Sequence, residues 1–189
     1  MDEQFLHLIA RRRHVGLRRL LAPGPGDAAL QRIVAAAAHA PDHGTLRPWR
    51  FILVPAARRA ALGDVFAAAL AARRPDADAV ARAAARDKAA HAACLLVAVL
   101  VDDPQAHGVP AAEKLVSLGA AIQNMLLAAE ALGFASGLAS GGALDTATMR
   151  DFLGLAPHEA AICFIGFGTA ADGKPPRERP GPAAFFSSL

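Results

Sequence analysis

His39-Ala40-Pro41-Asp42-His43-Gly44-Thr45-Leu46-Arg47-Pro48-Trp49 gathers two histidines, a carboxylate, two prolines and the chain's one tryptophan. His39 and His43 stand four apart, the spacing at which a helix turns two imidazoles onto one face and offers them to a metal. Pro41 removes that helix, and no further His, Cys or Glu follows closely enough to complete a ligand set. The metal reading is weak. Guanidinium is the other concentrated chemistry, with Arg11, Arg12, Arg13, Arg18 and Arg19 in a single short stretch. Such a cluster reads as a solvated face, a phosphate site or a nucleic-acid patch. The solvated face is the ordinary case. Nucleic acid is the weakest of the three, because the cluster holds no aromatic residue and the rest of the chain is nearly neutral.

Two further chemistries are offered and fail. Neither Ser136 nor Ser140 sits in a Gly-x-Ser-x-Gly elbow, so a serine nucleophile has no frame. Gly166-Phe167-Gly168-Thr169-Ala170-Ala171 imitates the start of a dinucleotide fingerprint, but Pro175 and Pro176 arrive where that motif needs a helix N-terminus. What remains is dispersed: the arginine cluster, the Pro/Trp loop, a Gln123-Asn124 step in an apolar helix, and the Gly/Ser segment from Gly133 to Gly142. Singly, these are surface charge, a helix stop, helix contacts and a turn. Together they suit a flat, phosphorylated ligand with polar edges, arginines clamping the phosphate and backbone amides reaching ring heteroatoms.

The elements that must position these groups follow from periodicity. Asp2 caps a first helix whose Phe5, Leu8 and Ile9 recur at helical spacing, ending near Gly16. Asp27 caps a second, through Leu30, Ile33, Val34 and Ala37 to the stop at Pro41. Residues 51–54 make a short strand, then alanine- and arginine-rich helices cover 56–74 and 77–93, split at Pro75-Asp76. The unbroken apolar run 94–101 suits a central strand covered on both faces. A long helix runs from Pro110 to about Leu132, with Leu115, Leu118, Ile122, Met125, Leu126, Ala129 and Leu132 as its apolar stripe and Gly133 as a left-handed cap. A helix over 146–153 and a strand over 161–167 complete the pattern.

A chain of 189 residues with net charge +3 is most simply one domain. Its abundant alanine and lack of tyrosine call for closely packed helices. The start Met1-Asp2-Glu3-Gln4 is acidic where a signal peptide is positive, and no apolar run reaches membrane length. Cys94 and Cys163 lie in hydrophobic runs and read as buried thiols. A cytoplasmic protein with no membrane and no nucleic-acid partner is expected. The last twenty or so residues combine prolines with Phe185, Phe186 and Leu189, as an extended arm lying on another surface would.

These pieces, in order, resemble the nitroreductase superfamily of FMN-dependent oxidoreductases, in its short single-domain branch. The resemblance runs from about Leu8 to Gly168. It rests on Arg12-Arg13-His14-Val15, the proline turn before Leu30, Ala40-Pro41-Asp42-His43 with Pro48-Trp49-Arg50-Phe51, and Gly119 to Ala129 with Gly133-Phe134. It implies an α+β fold, a mixed but mainly antiparallel sheet flanked by helices, in an intertwined homodimer. The domain would span 1–170, and 171–189 would be the C-terminal arm on the partner subunit.

The resemblance also implies FMN at the subunit interface and NADH or NADPH as electron donor, with hydride passing through flavin to a small flat acceptor such as a nitroaromatic or a quinone. Carried over by position, Arg12, Arg13 and His14 would meet the FMN phosphate and the pyrimidine edge. His39 and His43 would reach flavin from the other subunit, and Leu138, Ala139 and Ser140 would touch ring or phosphate, with Arg177 or Arg179 adding a phosphate contact. No catalytic side chain and no metal are implied. The sequence departs from the family pattern at His14, usually Ser or Thr, at Gly16, often basic, and at Leu138-Ala139, where a Trp-Arg pair is common. A flavin-binding protein without reductase activity stands behind the oxidoreductase reading, and a basic nucleic-acid module behind that.

Overall fold

In the computed structural model, which describes residues 2–103, 108–171 and 178–188, Cys94–Val101 forms strand β3 at the centre of an antiparallel sheet. Its side chains divide between two cores, as a period of two requires. Cys94, Leu96, Ala98 and Leu100 face one cluster, built with Ile33, Leu118, Ile122, Met125 and Phe167. Leu95, Val97 and Val99 face the other, with Leu62, Val65, Met149 and Phe164. The expected double coverage is therefore observed, and it explains the absence of polar alternation in the run.

Trp49–Leu53 (β2) pairs with one edge of β3, and Glu159–Ala170 (β5) with the other. Beyond β5 lies Ala135–Ala139 (β4), and the short Leu20–Leu21 (β1) pairs with the end of β5. Neither β1 nor β4 is evident in the sequence. Glycine and serine have poor strand propensity, and the glycine in β4 is needed for another reason. The chain from Val15 to Leu21 crosses the sheet over Gly137, Gly166 and Gly168. A Cβ on Gly137 would overlap the Val15 carbonyl oxygen, on Gly166 it would stand 2.9 Å from Ala92 and Leu20 side chains, and on Gly168 2.7 Å from the Leu21 carbonyl. These glycines pave a crossing that no side chain permits.

Among the described residues, six α-helices surround the sheet: Asp2–Arg11 (α1), Asp27–Ala35 (α2), Arg59–Arg73 (α3), Ala79–Asp87 (α4), Ala111–Ala131 (α5) and Ala147–Leu153 (α6). Gly26, not Asp27, is the N-cap of α2, and Asp27 sits in the first turn where its charge meets the helix dipole. The helix expected over 77–93 stops at Asp87. Arg59 causes much of this, donating to the carbonyls of Val54, Ala89, His91 and Ala92 and so holding the chain in the turn that enters β3. Gly133 has φ +84 and ends α5 as expected. Leu115 leaves the buried stripe and is 43% exposed, beside Val116 at 73%. Both cysteines are buried free thiols, and no helix among the described residues is long and apolar enough to cross a membrane.

Candidate functional site

The arginine cluster resolves into individual roles once α1 is placed. Arg11, in its last turn, bonds Glu130 of α5 at 2.9 Å, and Arg19 donates to the Ala171 carbonyl at 2.7 Å. Arg12 is half-buried, and its Nε is buried with no partner among the described residues. Arg179, from the tail, reaches back to the Arg12 carbonyl at 3.3 Å. Arg177 lies outside the described residues. Arg13 is exposed and makes an interaction of its own.

His14 opens the crossing segment. Its backbone forms a parallel bridge with Ser136, and the Val15 N–H donates to the Ser136 carbonyl at 2.9 Å. The imidazole then does what the next backbone acceptor would do: Nδ1 accepts the Leu138 N–H at 3.4 Å. The outer edge of β4 is thereby closed by one backbone group and one side chain. The bond requires Nδ1 unprotonated, which leaves Nε2–H to donate outward. Leu138 itself packs into the core, Ala139 is half-buried and Ser140 is exposed just past the strand. The Leu138 amide is thus consumed within the chain. Ser136 is 1% exposed and its Oγ, like Arg12 Nε, is buried and unpartnered among the described residues. Each such atom costs about 1–3 kcal/mol unless a ligand or water satisfies it.

His39 and His43 fall elsewhere. A 3₁₀ turn carries α2 through Ala36–His39, and Pro41 ends it. Gly44, Thr45 and Arg47 all have positive φ, at 65°, 56° and 47°, and the Arg47 N–H is held by the Asp42 carboxylate at 2.8 Å. For Thr45 and Arg47 this is a sparsely populated conformation, of the kind concentrated in binding loops. Both histidines are exposed, and His43 Nδ1–H donates to Glu113 at the start of α5 at 2.8 Å. Arg11 is bonded to Glu130 near the other end of that helix. At roughly 1.5 Å per residue the two attachment points are about 25 Å apart. One chain therefore keeps the Arg12–His14–Leu138 corner and the His39–His43 loop on separate ends.

A half-buried ion pair supports the sheet at the other end. Arg50 on β2 meets the Glu159 carboxylate at 2.5 and 2.7 Å, and the Ala156 N–H donates to it at 2.9 Å. Hydrogen bonding from Arg50 is the main reason that the Glu159 carboxyl is held down to about 2, with the Ala156 amide adding to it against the opposing effect of burial. Arg50, named above only among the residues that carry the resemblance, thus contributes a structural clamp. Nothing in the residue pattern links it to its acidic partner 109 residues on.

The antiparallel sheet with α5 buried along one face is the fold of solved nitroreductases. A Nitroreductase-like family protein from Bacillus cereus superposes with a TM-score of 0.80 at 19% identity, covering 98% of this chain and 95% of the other. A "putative nitroreductase in complex with FMN" from Desulfovibrio desulfuricans gives 0.72 at 26% identity, over 98% and 96%. In sequence, the "Putative NAD(P)H nitroreductase YdjA" of Escherichia coli (strain K12) is 30% identical over 167 residues, 87% of each chain. The model of the Nitroreductase family matches residues 9–169. The chain belongs to that family, and it is an oxidoreductase.

Proposed function

We propose that two copies of this chain bind FMN at their seam and pass hydride from NADH or NADPH to flat acceptors such as nitroaromatics and quinones, in the cytoplasm. The observation that carries the reading is the buried, unpartnered guanidinium nitrogen of Arg12, two residues from His14 and accompanied by the orphaned Ser136 hydroxyl. The residues fit the group. Arg12, with Arg13 and Arg179 beside it, would grip the phosphate, His14 would offer Nε2–H to the pyrimidine edge, and Ala139 and Ser140 would line the ring. When bound, flavin supplies the hydride chemistry, and the protein supplies orientation and charge. The cationic corner favours the added negative charge of the reduced state by preorganised electrostatics.

The second copy supplies what one chain keeps apart. Phe5, Leu6 and Ile9 on α1, Leu115 and Val116 on α5, and Phe185 and Phe186 in the tail are all exposed. Burying them in a homodimer would bring the His39–His43 loop of one subunit to the Arg12 corner of the other, with the 171–189 arm laid across the partner. The test is purification without added cofactor, then a visible spectrum and anaerobic addition of NADH or NADPH. Flavin bands that bleach, and return on adding a nitroaromatic or quinone, are expected. Flavin bands that no reductant bleaches would leave binding and remove the reductase, and a colourless protein that takes up no FMN would remove both.

A further inference from the structure

His14 and His43 are held through the same ring nitrogen and in opposite senses. At His14 the partner of Nδ1 is the Leu138 N–H, 3.4 Å away, which can only donate. At His43 the partner of Nδ1 is Oε2 of Glu113, 2.8 Å away, and an ionised carboxylate can only accept. A neutral imidazole carries one proton, so each bond settles the state of the other nitrogen. Nε2 of His14 is an N–H donor. Nε2 of His43 is a lone-pair acceptor, and it has no partner among the described residues.

Glu113 is itself fixed. It lies in the first turn of α5, where the helix dipole favours a carboxylate, and its N–H donates to the Pro110 carbonyl at 3.0 Å. The next residue, Lys114, is 4% exposed, and its ammonium meets the Asp102 carboxylate at 2.5 Å, which anchors that turn to the end of β3. On the other side, His43 opens the loop in which Gly44, Thr45 and Arg47 have positive φ. That loop is held by the Asp42 carboxylate on the Arg47 N–H and by the Thr45 hydroxyl on the Gly44 carbonyl. Its two non-glycine residues in the left-handed region cost on the order of 1 kcal/mol or more each, at least what an exposed His–Glu pair returns. The bond to Glu113 therefore does not explain the loop by stabilising it. What the bond determines is which imidazole nitrogen is left to face outward.

We infer that Glu113 is a positioning residue that makes His43 a hydrogen-bond acceptor. This rests on the flavin reading above, in which His14 of one subunit and His43 of the other meet the same ring. The two imidazoles then present one donor and one acceptor. A ring that carries a carbonyl and an N–H matches them, and isoalloxazine carries both. His14 donates to a ring carbonyl, and His43 accepts from a ring N–H. That N–H is N3–H, present in both oxidation states, or one gained on reduction.

The ring nitrogens are read first, in 15N-labelled protein at about pH 8.5, well above the ordinary histidine value of about 6.5. Long-range 1H–15N spectra, assigned with His14→Gln and His43→Gln, should show His43 protonated at Nδ1 and His14 at Nε2. Glu113→Ala should release His43 to a mixture of tautomers and leave His14 unchanged. The flavin is read by fluorescence titration with FMN and with its N3-methyl analogue, and by the midpoint potential of the bound cofactor. If His43 accepts from N3–H, the unaltered protein prefers FMN over the analogue roughly three- to tenfold, and Glu113→Ala loses that preference. If it accepts from an N–H gained on reduction, the two oxidised flavins bind alike and Glu113→Ala lowers the potential, by about 30 mV for a tenfold weaker reduced form. A His43 without a fixed tautomer in the unaltered protein would overturn the inference. So would a Glu113→Ala variant that releases His43 yet shifts neither the preference nor the potential. A protein that takes up neither flavin would overturn the flavin reading and this inference with it, a failure that the ring-nitrogen spectra tell apart from the other two.

Discussion

Glu113 and Glu130 stand near opposite ends of α5, one bonded to His43 at 2.8 Å and the other to Arg11 at 2.9 Å. Both links involve exposed partners, so each contributes at most about 1 kcal/mol. Their value lies in placement. They tie the histidine loop and the arginine corner to the two ends of a single rod, about 25 Å apart; in the proposed dimer a second rod closes that separation.

The exposed side of that rod should therefore be the seam. Val116→Glu places a charge in the middle of an apolar patch, which a buried interface tolerates poorly. Analytical ultracentrifugation should find the dimer weakened by roughly a hundredfold or more, with FMN lost in parallel. A variant that stays fully dimeric would put the seam elsewhere.

Arg12→Ala removes the guanidinium whose Nε is buried and unpartnered. Losing one charge-assisted phosphate contact should weaken FMN roughly ten- to a hundredfold in a fluorescence titration, while sedimentation remains that of the dimer. Unaltered affinity would take this residue out of the site.

Gly137 tests the crossing. A methyl group there would collide with the Val15 carbonyl, and the His14 Cε1 would be 3.3 Å away. Backbone must move, so Gly137→Ala should cost on the order of 2–3 kcal/mol in urea unfolding and loosen FMN as His14 shifts. Full stability would mean that the crossing is not tight.

The Arg50–Glu159 clamp predicts an acid dependence. Glu159 is held down from 4.5 to about 2 in the folded chain, so its stabilisation is complete above about pH 4.5 and is lost as pH falls toward 2. Glu159→Gln should cost on the order of 2 kcal/mol at neutral pH and flatten the fall in stability below about pH 4.5. Parallel acid profiles for the two proteins would refute the assignment.

Much of the fold is legible in the residues. The 94–101 run announces a doubly covered strand, and Gly133, Pro41 and Pro75 end helices where they stand. The missed parts share a cause: they depend on partners distant in sequence. β4 is a strand because Val15 and β5 flank it, although its own Gly and Ser argue otherwise. Leu115 fits the helical stripe, yet it projects past the edge of its own core. Around Arg12, the arginine cluster is visible by residue type and His14 is reached through the family resemblance, but the contact of His14 with Leu138 and the reach of Arg179 required three dimensions.

Native mass spectrometry of the purified protein, titrated with FMN, addresses the two-chain site most directly. The expected result is a dimer carrying two FMN molecules, with any monomer flavin-free. FMN held by single chains, or a dimer that takes up none, would contradict it.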